Sequence, residues 1–165
     1  MIRLTLDEHD LHVCLAAPAW VAVVAAGAPY PNADVWRSVA DAAFRALDDA
    51  DVLAALAAHP RIGAAPAGSG ADAAASRREQ AAVTAADDDV KAAIAAGNRA
   101  YEQRFERVFL IRAAGRSPEA ILAELRRRLG NDDATEFAEA REQLREITLL
   151  RLEGLLATRP ATEEP

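Results

Sequence analysis

The sequence predicts an all-α fold, a single-domain bundle of several helices, and three observations predict it. Hydrophobic residues make up 52% of the 165-residue chain, and alanine outnumbers valine, isoleucine and the aromatic residues together among them. Alanine has the best helix propensity of any residue and is poor in strands. Apolar residues recur at helical spacing in segment after segment, and the breaks between segments carry the Pro, Gly, Asn and Asp residues that start and stop helices. The length suits one domain with a substantial apolar core, expected over residues 1–157, with 158–165 as a disordered tail.

Taken in order, "APAWVAVVAAGAPYPNADVW" predicts a short helix ending near Gly27, a Pro/Asn turn and a second helix from about Asp34. That helix carries Val35, Trp36, Val39, Ala43 and Leu47. A short helix follows from about Asp51 to Ala58, ended by Pro60, because a proline disfavours helical geometry at the residue before it. The glycine- and proline-rich stretch 63–71 is a loop, expected to be ordered if it lines a site and mobile otherwise. Helices are then expected over 72–85 and 88–105. The apolar run Val108 to Ile111 reads as extended or irregular backbone. "GRSPEAILAELRRRLGND" carries full helix punctuation: Ser117 as N-cap, Pro118 at the first helical position, Glu119 beside the positive end of the dipole, and Gly130 past the end. The last helix runs from about Asp133 to Leu156.

A net charge of -7, with both signs mixed along the chain, provides no basic stripe for phosphates and argues against nucleic acid as a partner. The densest basic run, Arg126 to Arg128, reads as a solvated helix face. One cysteine, Cys14, permits no internal disulfide and suits a reducing compartment. No apolar run is long enough to span a bilayer, and the acidic start is unlike a secretory signal, so a cytoplasmic location without membrane contact is expected.

Three polar residues stand on apolar helix faces. His59 shares a stripe with Val52 and Leu56 and points inward at a helix end. Arg151 interrupts the stripe Phe137, Ala140, Leu144, Ile147, Leu155 of the last helix, where a permanent cation needs a carboxylate or an anionic ligand. A structural ion pair, or a packed stem with its head in water, would also explain it. Glu79 in "SRREQ" shares a face with Ser76 and Val83, bordered by Gln80, although Ser76 and Glu79 also have the spacing of a capping box. Together the three supply a titrating imidazole, a carboxylate to orient it and a fixed cation for an acidic substrate. They do not make a transition-metal site, since the other histidines lack helical ligand spacing, and no serine sits in a nucleophile elbow.

The ordered series "AHPRIG", "SRREQ", "NRAYEQRF", "FLIRAAGRS" and "LREITLLRL" resembles the 2-oxo-4-hydroxy-4-carboxy-5-ureidoimidazoline (OHCU) decarboxylase family, from about Trp20 to Leu156. The resemblance implies an all-helical, cofactor-free and often dimeric enzyme of urate catabolism that converts a small anionic ureidoimidazoline to (S)-allantoin. It matches His59, Glu79 and Arg151 to the family's active-site polar residues. Substrate contacts are implied for Pro60, Ser76 and Gln80, and for backbone amides of Phe109, Leu110 and Ile111. Two departures stand out: "FERVF" places Glu106 where many members have glycine, and Arg112-Ala113-Ala114 replaces a C-A-R or C-A-K pattern. They keep open a related enzyme acting on another small ureide or carboxylated imidazoline. A non-enzymatic helical binding module, with the three polar residues as a buried structural network, is the alternative from another class.

Overall fold

Residues 2–3, 6–64, 70–158 and 162–163 are described by the computed structural model. They separate into two compact units, 1–55 with 145–165, and 56–144.

The first unit opens with a helix that the sequence reading did not anticipate, α1 (Glu8–Cys14). The Asp7 carboxylate accepts the Asp10 N–H at 2.8 Å while the Asp10 carboxylate accepts the Asp7 N–H at 3.2 Å. This is a reciprocal capping box built from two aspartates instead of the usual Ser/Thr and Glu. Proline at the first helical position starts α2 (Pro18–Ala26), and Asn32 caps α3 (Ala33–Arg45) by accepting from Val35 N–H at 3.0 Å. Trp20 and Trp36 are fully buried here. The Trp20 indole donates to the Ala40 carbonyl at 2.9 Å, and Tyr30 tilts against Trp36 with ring centroids 4.4 Å apart. Most of α4 (Asp49–Ala57) belongs to this unit, its start capped by Asp48.

The long α9 (Asp133–Thr158) contributes its portion from Arg145 onward. Ile147 and Leu152 are buried there, and Arg145 holds Asp41 of α3 through Nε–Oδ1 at 2.6 Å and Nη2–Oδ2 at 3.2 Å. A two-residue antiparallel ladder pairs β1 (Ile2–Arg3) with β2 (Thr162–Glu163). Part of the segment expected to be a disordered tail is thus paired, while 159–161 and 164–165 lie outside the described residues.

The second unit holds α5 (Ala71–Glu79), α6 (Ala81–Thr84), α7 (Asp88–Phe105), α8 (Pro118–Arg128) and the first part of α9. The single helix expected over 72–85 is interrupted at Gln80, whose backbone sits at φ -96 and ψ 8. Of the expected loop 63–71, residues 65–69 lie outside the described residues. The core is one cluster that includes Ile62, Val83, Ile94, Tyr101, Phe105, Phe109, Ile111, Ile121 and Leu125. α7 and α8 approach closely at Gly97, where a Cβ would lie 2.5 Å from the Leu125 side chain.

α7 ends on Glu106 in the left-handed conformation (φ 56), its N–H donating to the Glu102 carbonyl at 2.9 Å. Glycine is the residue such a cap favours, and here a glutamate takes up the conformation. Backbone that is neither helix nor strand follows over 107–113, then the Ser117 cap and Pro118 start α8 as expected. The run Arg126 to Arg128 is only partly a solvated face. Arg126 and Arg127 are exposed, and Arg127 pairs with Glu124 and Glu139, but Arg128 is 1% exposed.

Two stability outcomes follow. Glu106→Gly removes the left-handed penalty and should raise unfolding free energy by about 1 kcal/mol, read as a higher denaturant midpoint; a lower midpoint would contradict it. The Asp41 carboxyl is held below the usual range, chiefly by its hydrogen bond to Arg145, with burial opposing. A depressed folded value means that this stabilisation is complete above the unfolded carboxylate value of about 4 and is lost as pH falls through the folded value. Asp41→Asn should therefore cost roughly 1 kcal/mol at neutral pH and progressively less in acid; a cost independent of pH would show that the pair contributes nothing.

Candidate functional site

The turn that follows α4 is held from several sides within the second unit. His59 is half-buried in it, its backbone N–H donating to the Leu56 carbonyl at 3.2 Å. Pro60 prevents the helix from continuing. Ile62 anchors the turn in the core, and Gly63 takes a left-handed φ of 84 that a side chain would strain. The Ile62 carbonyl accepts from the buried Asn98 amide at 2.8 Å, and Arg61 forks onto Glu102 at 2.5 and 2.8 Å. Asn98 and Glu102 sit one turn apart on α7, so the motifs "HPRIG" and "NRAYEQRF" are two halves of one contact.

Sequence reasoning passed over Asn98 and Glu102. The available signal was a polar side chain on α7 between Ile94 and Tyr101, a face that is otherwise apolar.

Ser76, Glu79 and Gln80 come from α5 and its junction with α6. Gly70, not Ser76, is the N-cap of α5, so the capping-box reading of Ser76 and Glu79 is excluded. Ser76 is buried in the second half of the helix, and Glu79 is half-buried at its last position. Gln80 is buried, and its side-chain oxygen accepts the Gly63 N–H at 2.9 Å. This bond fastens the helix break to the turn that carries His59 and Pro60.

Phe109, Leu110 and Ile111 lie in the irregular stretch between α7 and α8, and all three are buried. The Leu110 carbonyl accepts from Arg128 Nη1 at 2.7 Å, and the Arg112 N–H donates to the Gln143 side chain at 2.9 Å. No acceptor among the described residues takes the N–H groups of Phe109, Leu110 or Ile111. A buried donor without a partner costs on the order of 1–3 kcal/mol. Such backbone suits an oxygen atom supplied by water or a ligand.

Arg151 belongs to the other unit, half-buried on α9, where its Nη1 donates to the Val13 carbonyl at 2.9 Å. An open cleft of about 400 Å³ in the second unit is lined by Arg61, Ile62, Gly63, Val83, Ile94 and Asn98 among others, and His59, Glu79 and Gln80 take no part in it. Among the described residues no group of His, Cys, Asp and Glu side chains is placed to hold a metal ion.

Comparison with known proteins places this geometry. A model of the OHCU decarboxylase family matches residues 7–153, which run through both units. Among solved structures the protein is similar to an OHCU decarboxylase crystallised in the presence of (S)-allantoin, at 23% identity and a TM-score of 0.79, over 92% of this chain and 99% of that one. It is also similar to an (S)-allantoin synthase, at 18% identity and a TM-score of 0.67, over 90% of this chain and 49% of that longer one. At such identities the two structures establish a shared fold. No curated protein matches the sequence.

The Gln80 bond makes a separate expectation testable. Gln80→Leu leaves the Gly63 N–H without its side-chain acceptor in a part-buried bond and should destabilise the protein by about 1 kcal/mol, with faster amide exchange at Ile62 and Gly63 than elsewhere in the second unit. Unchanged exchange there would show that Gln80 does not hold the turn.

Proposed function

The chain belongs to the OHCU decarboxylase family, and from that membership we propose that it removes carbon dioxide from 2-oxo-4-hydroxy-4-carboxy-5-ureidoimidazoline and delivers (S)-allantoin, a carboxy-lyase step of purine catabolism. The observation that carries the reading is the row of backbone N–H groups of the buried residues Phe109, Leu110 and Ile111, for which no acceptor is found among the described residues, in the same unit as His59, Glu79 and Gln80.

Breaking the bond to the carboxylate releases carbon dioxide and leaves its electron pair on the substrate, where it spreads into the adjacent carbonyl or imine. A proton must then be added to one face of the carbanionic carbon. Preorganised donors serve the first need and a positioned acid the second. The 109–111 amides, with the Gln80 amide beside the His59 turn, are assigned to the developing oxygen charge. His59 takes the substrate hydroxyl proton or returns a proton to carbon. Glu79 sets its tautomer and orientation, or serves as the acid itself. Pro60 and Ser76 shape the contact with substrate. Arg151 is assigned to recognition of the anionic substrate, on its place in the family pattern. We assign the reaction to protein groups alone, in a cytoplasmic enzyme. Among the described residues no helix is long and apolar enough to cross a membrane.

The test generates the ureidoimidazoline from urate with upstream enzymes and follows optically active allantoin by circular dichroism. His59→Asn should lower turnover by at least about 100-fold while the helical spectrum is retained, and near-wild-type turnover would remove His59 from the chemistry. Arg151→Lys should raise KM by about tenfold or more, since an ammonium cannot reproduce the planar fork; an unchanged KM counts against its role in anion recognition. A wild-type rate equal to the spontaneous background would sink the decarboxylase reading.

A further inference from the structure

We propose that Arg128, clamped by Glu136 and Tyr101, is a positioning residue that sets the register of the Phe109–Ile111 backbone donors. The proposal rests on the functional reading above insofar as those donors meet the reacting oxygen, and on geometry alone insofar as it concerns the backbone.

Arg128 closes α8 with its side chain 1% exposed, and Glu136, in the first turn of α9, is 0% exposed. Both Nε and Nη2 of Arg128 donate to Glu136 Oε1, the former at 2.8 Å. The same oxygen accepts the Tyr101 hydroxyl at 2.6 Å, and Oε2 accepts the Asn131 amide at 3.0 Å. Burial, then the hydrogen bond and the charge of Glu136, push the Tyr101 phenol well above its ordinary value, so it stays a hydroxyl donor. With two of its nitrogens committed to the carboxylate, the guanidinium turns the third, Nη1, onto the Leu110 carbonyl at 2.7 Å. Its plane also lies over the Phe109 ring, 4.6 Å from the centroid. Two consecutive residues of the irregular stretch are therefore held by one side chain, while the Arg112 N–H is held by Gln143.

Stability does not account for such a cluster. Replacing a buried ion pair by apolar groups of like volume is often neutral or stabilising, whereas removing one partner is costly. What the pair adds is direction: a rigid planar fork, fixed on a carboxylate, that can hold one carbonyl at one place. A held carbonyl restrains its peptide plane, and with it the Ile111 N–H that shares that plane, while the contact with the Phe109 ring restrains the residue on the other side. Misplacement by about 1 Å of a group meeting the reacting atoms can cost on the order of 100-fold in rate. Glu136 and Tyr101 act through Arg128, and none of the three is assigned a contact with substrate.

The double variant Arg128→Met/Glu136→Gln tests this, because it removes both charges together and leaves the Tyr101 hydroxyl an acceptor. It should fold with a helical spectrum like wild type. In the coupled assay kcat should fall by about 30-fold or more with KM within about threefold, as expected when groups that act in the transition state are displaced. Amide exchange at residues 109–112 should quicken while that of α7 and α8 stays near wild type. A folded double variant with wild-type kcat overturns the proposal. Should it fail to fold, Arg128→Lys carries the test: the ammonium keeps the charge beside Glu136 but cannot span both the carboxylate and the Leu110 carbonyl, so kcat should drop about tenfold at near-constant KM. Undiminished kcat there overturns the proposal equally. If wild-type protein shows no decarboxylation at all, the functional reading fails on its own. Exchange at 109–112 then decides the positioning, and rates unchanged in the variant overturn it.

Discussion

A guanidinium in a dry interior cannot shed its proton, and the second unit is organised around meeting that demand for Arg128. Glu136 supplies the charge, Tyr101 and Asn131 occupy the remaining capacity of its carboxylate, and Phe109 presents the face of its ring. The end of α8, the start of α9, the C-terminal part of α7 and the irregular stretch between α7 and α8 all contribute a partner. Each must be in place before the charge can be buried, so a polar cluster ties together elements that apolar packing alone would leave free to slide.

Helix α7 serves two polar tasks from positions a turn apart. Asn98 and Glu102 hold the turn that carries His59 and Pro60, while Tyr101 reaches the Arg128–Glu136 pair. Ile94, Tyr101 and Phe105 pack the core of the unit at the same time. The helix is a rigid rail between the turn bearing His59 and a backbone segment whose N–H groups at 109–111 find no acceptor among the described residues. Catalytic constellations require such support, because loops by themselves do not hold groups to a fraction of an ångström.

Local sequence signals were legible wherever a helix end is made by its own residues. Ser117, Pro118 and the residues around them place α8, and the apolar periodicity places α7 at 88–105 as observed. That the 108–111 run is not helical was also legible, since its apolar residues lie between two helical patterns and read as extended or irregular backbone. α1 was missed because its box uses Asp at both ends, and aspartate and histidine lower helix propensity along the stretch. Of the candidate site, the positions of His59 and Gln80 in a turn and at a helix break are seen in the structure, and the two departures bear differently on it. Glu106 takes the left-handed conformation that glycine favours, and Arg112 keeps its backbone N–H on Gln143.

Alanine content, cap residues and helical spacing by themselves determined the all-α class, most helix limits and the inventory of polar groups on apolar faces, because each depends on neighbours within a turn or two. Tertiary structure alone decided that Gln80 breaks a helix, since its partner Gly63 lies 17 residues away, and that Asn98 holds a carbonyl 36 residues back. It also decided that Arg128 is buried while Arg126 and Arg127 meet solvent. The three arginines are indistinguishable by composition; only a carboxylate and a phenol brought from elsewhere in the chain make the burial of one of them affordable in desolvation energy.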